Sequence, residues 1–150
     1  MPPIFKKDDR FKQGIFKPKN PEKFMGKFAI FRSSYERAFF LKMDNNPNVL
    51  EWGSENVIVP YKHPIDNKIH KYYVDAYVVI KEGNATNKYL IELKPSSQTE
   101  QPKASKRKKK ETMIYENFQW KVNQAKWAAA EQYAKLKGAK FLILTEKDLF

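Results

Sequence analysis

The sequence predicts an α/β domain built on a mixed sheet, and three observations carry that prediction. Two segments space their apolar residues like helices, an early one in FRSSYERAFFLKMD and a late one from about Thr112 to Lys137. Between them lie KYYVDAYVVI and KYLIELK, strand-like and joined by the turn-rich EGNATN, which predicts an antiparallel hairpin. After the late helix comes FLIL at 141–144, read as a final buried strand.

Composition bounds the rest. With 150 residues, 41% of them hydrophobic and 15% aromatic, the chain can bury one real core. It has no cysteine, which excludes disulfides, thiol nucleophiles and cysteine-based zinc sites. No apolar run approaches the roughly 18 residues of a membrane span. The opening MPPIFKKDDRFKQ lacks the apolar stretch of a secretory signal. The expectation is a soluble intracellular protein with no membrane partner. Twenty-nine Lys and Arg against seventeen Asp and Glu leave a net charge of +12. A small domain this basic points to a polyanion, most often nucleic acid, although an acidic protein or lipid surface fits the charge too.

Each element has its own signal. Residues 1–30 form a basic, aromatic N-terminal arm, in which Lys6, Lys7, Arg10, Lys12, Lys17, Lys19, Lys23 and Lys27 alternate with Phe5, Phe11, Phe16, Phe24 and Phe28. Four prolines discourage a long helix there, and the phenylalanines imply docking on the core or on a partner. Residues 31–150 then make the folded domain. Its early helix is capped by Ser33 or Ser34, striped by Tyr35, Ala38, Phe39 and Met43, and stopped by Asn45, Asn46 and Pro47. VLEW (49–52) and NVIVPY (56–61) read as two short extended pieces, and HPIDNK as a turn. A polar, basic loop at about 95–111 is expected to be mobile. In the late helix Ile114, Phe118, Val122, Ala125, Ala129 and Tyr133 form the stripe, Gly138 ends it, and Thr145 can cap a last turn.

The residue that does not fit its surroundings is Asp75, within YYVDAYVVI. A lone buried carboxylate costs several kcal/mol unless it is paired or binds a cation. In KYLIELKP, alternation puts Leu90, Glu92 and Lys94 on one face and Tyr89, Ile91 and Leu93 on the other. Glu92 and Lys94 then stand roughly 7 Å apart along the strand. If the two strands pair, two carboxylates and an ammonium can converge, and a divalent cation such as Mg²⁺ would remove the repulsion. Two other readings stay open: a solvated face carrying a weak Glu92–Lys94 pair, and a buried hydrogen bond or ion pair of Asp75 with Lys94.

Glu36 in SSYERAFF, Asp75 in YYVDAYV, and Glu92 with Lys94 in LIELKP follow one another as helix, strand, strand, with a long helix and a strand after them. This order resembles the PD-(D/E)XK nuclease superfamily, with Val74 where the signature's proline would stand. KPKNPEKFMGK, NPNVLEWGSENVIVPY, WKVNQAKWAAAEQYA and FLILTEKDLF are similar to the head completion family of T-even-type tailed phages. The catalytic core is similar to the TnsA-type transposon end-cutting nucleases. The resemblance implies a restriction-endonuclease-like core, with a mixed central sheet flanked by helices. It also implies a Mg²⁺-dependent DNA endonuclease (Mn²⁺ able to substitute) acting at the end of packaged DNA before tails join. Phage head and portal-neck proteins would be its partners, the host cytoplasm its place during assembly and the virion head or neck a later one. The alternative is a non-catalytic DNA-binding or neck-docking protein that retains the fold.

In that reading Asp75 and Glu92 hold the metal, with the backbone carbonyl of Leu93 as a third ligand, and Lys94 orients a water or stabilises the growing charge. Glu36 has two readings, a metal-site carboxylate or the closing half of a capping box with Ser33. Gln124 is an auxiliary polar residue on the late helix, or simply part of its exposed face. Lys103, Lys106, Arg107, Lys108, Lys109 and Lys110, with Lys126, neutralise DNA phosphates, or the run is a solubilising loop. His63 and His70 are the only histidines, too few for a histidine metal site. Nothing resembles a base-reading helix or finger, so little sequence specificity is expected.

Overall fold

A computed structural model describes residues 13–150. The arm residues Phe5, Lys6, Lys7, Arg10, Phe11 and Lys12 lie outside them. The remainder of the arm is part of the fold. Strand β1 (Gly14–Phe16) pairs antiparallel with β2 (Ala29–Phe31), and Phe16, Phe24 and Ala29 are buried. Asp44 secures this segment: its carboxylate accepts from the backbone N–H groups of Lys19 (2.9 Å) and Asn20 (3.1 Å). Phe16 and Phe24 therefore dock on the chain's own core, whereas Phe28 is 50% exposed.

Helix α1 (Ser34–Asn45) begins at Ser33, whose hydroxyl accepts from the Glu36 N–H at 3.2 Å. Then follow β3 (Val49–Lys62), β4 (Ile69–Glu82), β5 (Ala85–Leu93), α2 (Lys110–Leu136), β6 (Lys140–Leu144) and α3 (Glu146–Leu149). The last four strands make one sheet in the order β3-β4-β5-β6, antiparallel except for the parallel β5–β6 pair. The predicted mixed sheet and hairpin are present. Gly138, at φ 68°, takes the left-handed conformation that ends α2, and Thr145 caps α3.

Two features differ from the sequence reading. VLEW and NVIVPY are one continuous strand, not two pieces, with a register shift between Val49 and Glu51 and another between Ser54 and Val57, where Glu55 takes φ 54°. That is a bulge, which keeps a strand paired while changing its twist. FLIL is not fully buried: β6 is an edge strand, and Leu142 is 39% exposed.

The sheet separates two hydrophobic layers. On one side Phe39 and Phe40 of α1 and Leu149 of α3 pack with Trp52, Ala76, Val78, Ile91 and Leu93. Aromatic rings dominate it, with Phe24 and Phe40 lying 4.6 and 5.5 Å from Trp52 between ring centroids. On the other side Val122, Trp127, Ala130 and Ala134 of α2 pack with Val59, Tyr61, Tyr72, Val74 and Leu90. Ile114, expected in the α2 stripe, is 60% exposed, and the first buried residue of that helix is Val122. Packing on this layer begins at Phe118, so only the first two turns of α2 stand clear of the core. No helix among the described residues is long and apolar enough to cross a membrane.

Candidate active site

The site forms where β4 leaves one layer for the other. Tyr72 and Val74 pack with α2, whereas Ala76 and Val78 pack with α1, although simple alternation would keep all four on one face. Asp75 sits at the crossing, opposite the β3 bulge between Ser54 and Val57. The β4–β5 ladder stops at the Ala76–Ile91 pair, one residue short of Asp75. Beyond it the Asp75 Oδ2 accepts the backbone N–H of Leu93 at 2.8 Å. The carboxylate takes a place that a backbone carbonyl would otherwise fill.

Glu92 is buried and lies beside it. One Glu92 oxygen accepts a hydrogen bond from the Tyr72 hydroxyl, and Oε1 is 3.7 Å from the Lys94 ammonium. A solvated face is thereby excluded for Glu92. Burial, followed by the Glu92 carboxylate, pushes the Asp75 carboxyl up to about 8, against the lowering effect of the Leu93 N–H and Lys94. Burial and the Glu92 charge also raise the Tyr72 phenol well above its ordinary range, so it stays a donor. Asp75 therefore resists ionising beside the Glu92 charge.

Glu36 contributes to this field from α1, since its charge also raises Asp75. Its own carboxyl is raised by burial, and its Oε2 accepts the Arg32 N–H at 2.9 Å. It therefore closes the helix start one residue earlier than a capping box with Ser33 would, while still facing the acidic pair. Arg32 donates to Glu55 at 2.7 Å. Gln124 is exposed on α2; Asn123, one position earlier, lines the neighbouring cleft. Lys126 lies on α2 with Nζ 5.5 Å from the centroid of Tyr72 and 5.9 Å from that of Tyr61.

The segment expected to be a mobile loop is irregular but tethered. Ser96 is held by Glu146 through its N–H (2.9 Å), and Lys108 Nζ reaches Glu116 (3.0 Å) and the Lys103 carbonyl (2.9 Å). Lys109 caps α2 and Lys110 is its first residue, so the basic run divides between loop and helix. Between this segment and the first half of α2 lies a cleft of about 680 Å³, with Lys94 in its wall.

The histidine expectation needs correction. His63, Asp66 and His70 meet at the β3–β4 turn with potential ligand atoms within 4.8 Å of one another, the one such trio among the described residues. Their partners are already matched: His70 lies 2.7 Å from Asp66, which also accepts the Lys68 N–H at 2.9 Å, and His63 accepts the Ile65 N–H at 3.2 Å. The group closes a turn. Glu36, Asp75 and Glu92 are more loosely spaced than this trio.

Comparison with known proteins agrees with this geometry. The family model described as TnsA-like endonuclease N terminal matches residues 46–146, a span that includes Asp75, Glu92 and Lys94. The chain belongs to the TnsA-like endonuclease family. It is also similar to the head completion nuclease of Enterobacteria phage T4, at 35% identity over 141 residues, covering 91% of this chain and 92% of that protein. The restriction-endonuclease-like class expected of this TnsA-like endonuclease fits its four-stranded mixed sheet between helices.

Sequence reasoning missed Tyr72, the donor to Glu92. Strict alternation assigns it to the face opposite Asp75, and only the layer change at residue 75 brings it round. The one legible signal was its place three residues before the misfit carboxylate.

Proposed function

We propose that this chain is a Mg²⁺-dependent DNA endonuclease that hydrolyses phosphodiester bonds during phage head completion, at the end of packaged DNA before tails join. The observation that carries the reading is the acidic pair: Asp75 pushed up to about 8 beside a buried Glu92 is a costly arrangement that a divalent cation relieves. The oxygen donors suit Mg²⁺, with Mn²⁺ able to replace it. Asp75 and Glu92 would hold the ion, with the Leu93 carbonyl as a further donor and Glu36 facing the pair. When bound, the ion polarises the scissile phosphate and lowers the pKa of a bound water.

The remaining work belongs to the chain. Tyr72 fixes one Glu92 oxygen and so sets the orientation of that carboxylate. Lys94, with its ammonium 3.7 Å from Glu92, stabilises negative charge growing on the phosphate. Lys103, Lys106, Arg107, Lys108, Lys109, Lys110 and Lys126 neutralise the backbone, each phosphate contact steepening the salt dependence by about 0.9 in log–log slope. Head and neck proteins would be its protein partners, in the host cytoplasm as heads mature.

The test is cleavage of linear and supercoiled DNA in Mg²⁺, in EDTA, and by Asp75→Ala and Glu92→Ala. Metal-dependent cutting lost in both variants is expected. Cutting that persists in both variants removes this active site, and tight binding without any cutting by the wild type would make the protein a docking factor.

A further inference from the structure

The cleft beside Lys94 has a chemistry that phosphate binding does not explain. It is formed by the segment after β5 and the first half of α2, a helix that packs on the core from Phe118 onward. Its three ammonium groups, Lys94, Lys103 and Lys108, are opposed by Glu100 and Glu116, and Lys108 is already paired with Glu116. A wall meant only to hold a DNA backbone would keep its positive charge unopposed. What the cleft does offer is base-recognition chemistry: the indole of Trp120, the phenol of Tyr115, and the carboxamides of Gln98, Gln101, Gln119 and Asn123. Aromatic faces stack on unpaired bases, and carboxamides both donate to and accept from base edges. Tyr115 is 63% exposed, and Trp120, partly buried and T-shaped to Trp127 at 6.3 Å between centroids, still borders the cleft. At about 680 Å³ the space is that of a small-ligand pocket, too small for two paired strands.

We propose that this cleft seats an unpaired nucleotide next to the phosphate at Lys94, so that the preferred substrate is DNA with a frayed or single-stranded end rather than continuous duplex. The inference rests on the endonuclease reading for its placement, but its binding chemistry can be tested separately. Bases held in the cleft must be out of their stack, and that cost is least where they are already unpaired.

The test uses the full chain carrying Asp75→Asn, in EDTA, with a fluorescent hairpin DNA that ends either blunt or in a short overhang. The overhang is expected to bind about tenfold more tightly, the size of one base–aromatic stack. Binding should also quench tryptophan emission, because Trp52 and Trp127 are buried and Trp120 alone borders the cleft. Trp120→Leu should abolish both the preference and the quenching while leaving blunt-end affinity unchanged. Tyr115→Ser, at an exposed position, repeats the affinity test should the first variant fold poorly. Equal affinities for the two ends, or a preference that survives both substitutions, overturns the proposal. An overhang preference in a protein whose wild type never cuts upholds the cleft and removes the nuclease. Cutting with equal kcat/KM on both ends removes the cleft and leaves the nuclease.

Discussion

Two aspartates withdrawn from water, Asp44 in the last turn of α1 and Asp75 on β4, have contrasting surroundings. Asp44, 2% exposed, faces the backbone N–H groups of Lys19 and Asn20, and its own carbonyl accepts from the Asn20 side chain at 2.8 Å. Each of its carboxylate oxygens meets a backbone donor, and the result is a clasp that ties the N-terminal segment to the helix. Asp75 has one such donor, the Leu93 N–H, and faces Glu92 and Glu36. Its neighbours oppose its charge. The first carboxylate is present for stability, and the second is maintained at stability's expense, as sites with strongly shifted carboxyls commonly are.

Substitution should separate the two. Asp44→Ala leaves two N–H groups without their acceptor and should cost about 2–5 kcal/mol, seen as a large fall in thermal midpoint with no specific change in metal response. A midpoint within a degree of wild type would end the clasp description. Tyr72→Phe frees one Glu92 oxygen and should lower metal affinity or cleavage about 10–100-fold, with little change in fold; an unchanged Mg²⁺ titration would leave Tyr72 a packing residue only.

Asp75→Asn should have the opposite sign to Asp44→Ala. A carboxyl near 8 when folded and about 3.9 when unfolded keeps its proton in the folded state across that window. Stability of the metal-free protein therefore falls as pH rises from about 4 to about 8. Asparagine should raise the midpoint by a few degrees (roughly the effect of 1 kcal/mol) at pH 8 and leave it unchanged at pH 4. Saturating Mg²⁺ should flatten the same slope in the wild type, because a ligand bound only by the folded state stabilises it. A flat metal-free pH profile would contradict the crowded pair. The smallest effect belongs to Arg32→Ala: the pair with Glu55 is exposed, and its loss should cost under about 1 kcal/mol.

Much of this was legible beforehand. Alternation in KYLIELKP placed Leu90 and Glu92 on one side and Ile91 and Leu93 on the other, and they do pack that way. The β4–β5 hairpin, the Ser33 cap and the glycine end of α2 followed from local chemistry. Alternation failed on β4, because a bulge on a neighbouring strand is a pairing event that leaves no mark on the strand that responds to it. The same failure hid Tyr72 from the site and split β3 into two apparent strands. Helical spacing alone could not tell that α2 meets the core only from Phe118 onward, since Ile114 continues the stripe whether or not a sheet lies beneath it.

The amino-acid order by itself determined which residues could be partners: the misfit aspartate, the E-x-K after it, and the family both resemble. It could do so because those signals are carried by side-chain type and by spacing within one element. Only the tertiary structure decided that β4 changes layers at residue 75, that Tyr72 hydrogen-bonds Glu92, and that a cleft opens at Lys94. Those facts depend on contacts between distant segments, whose distances a local pattern does not encode.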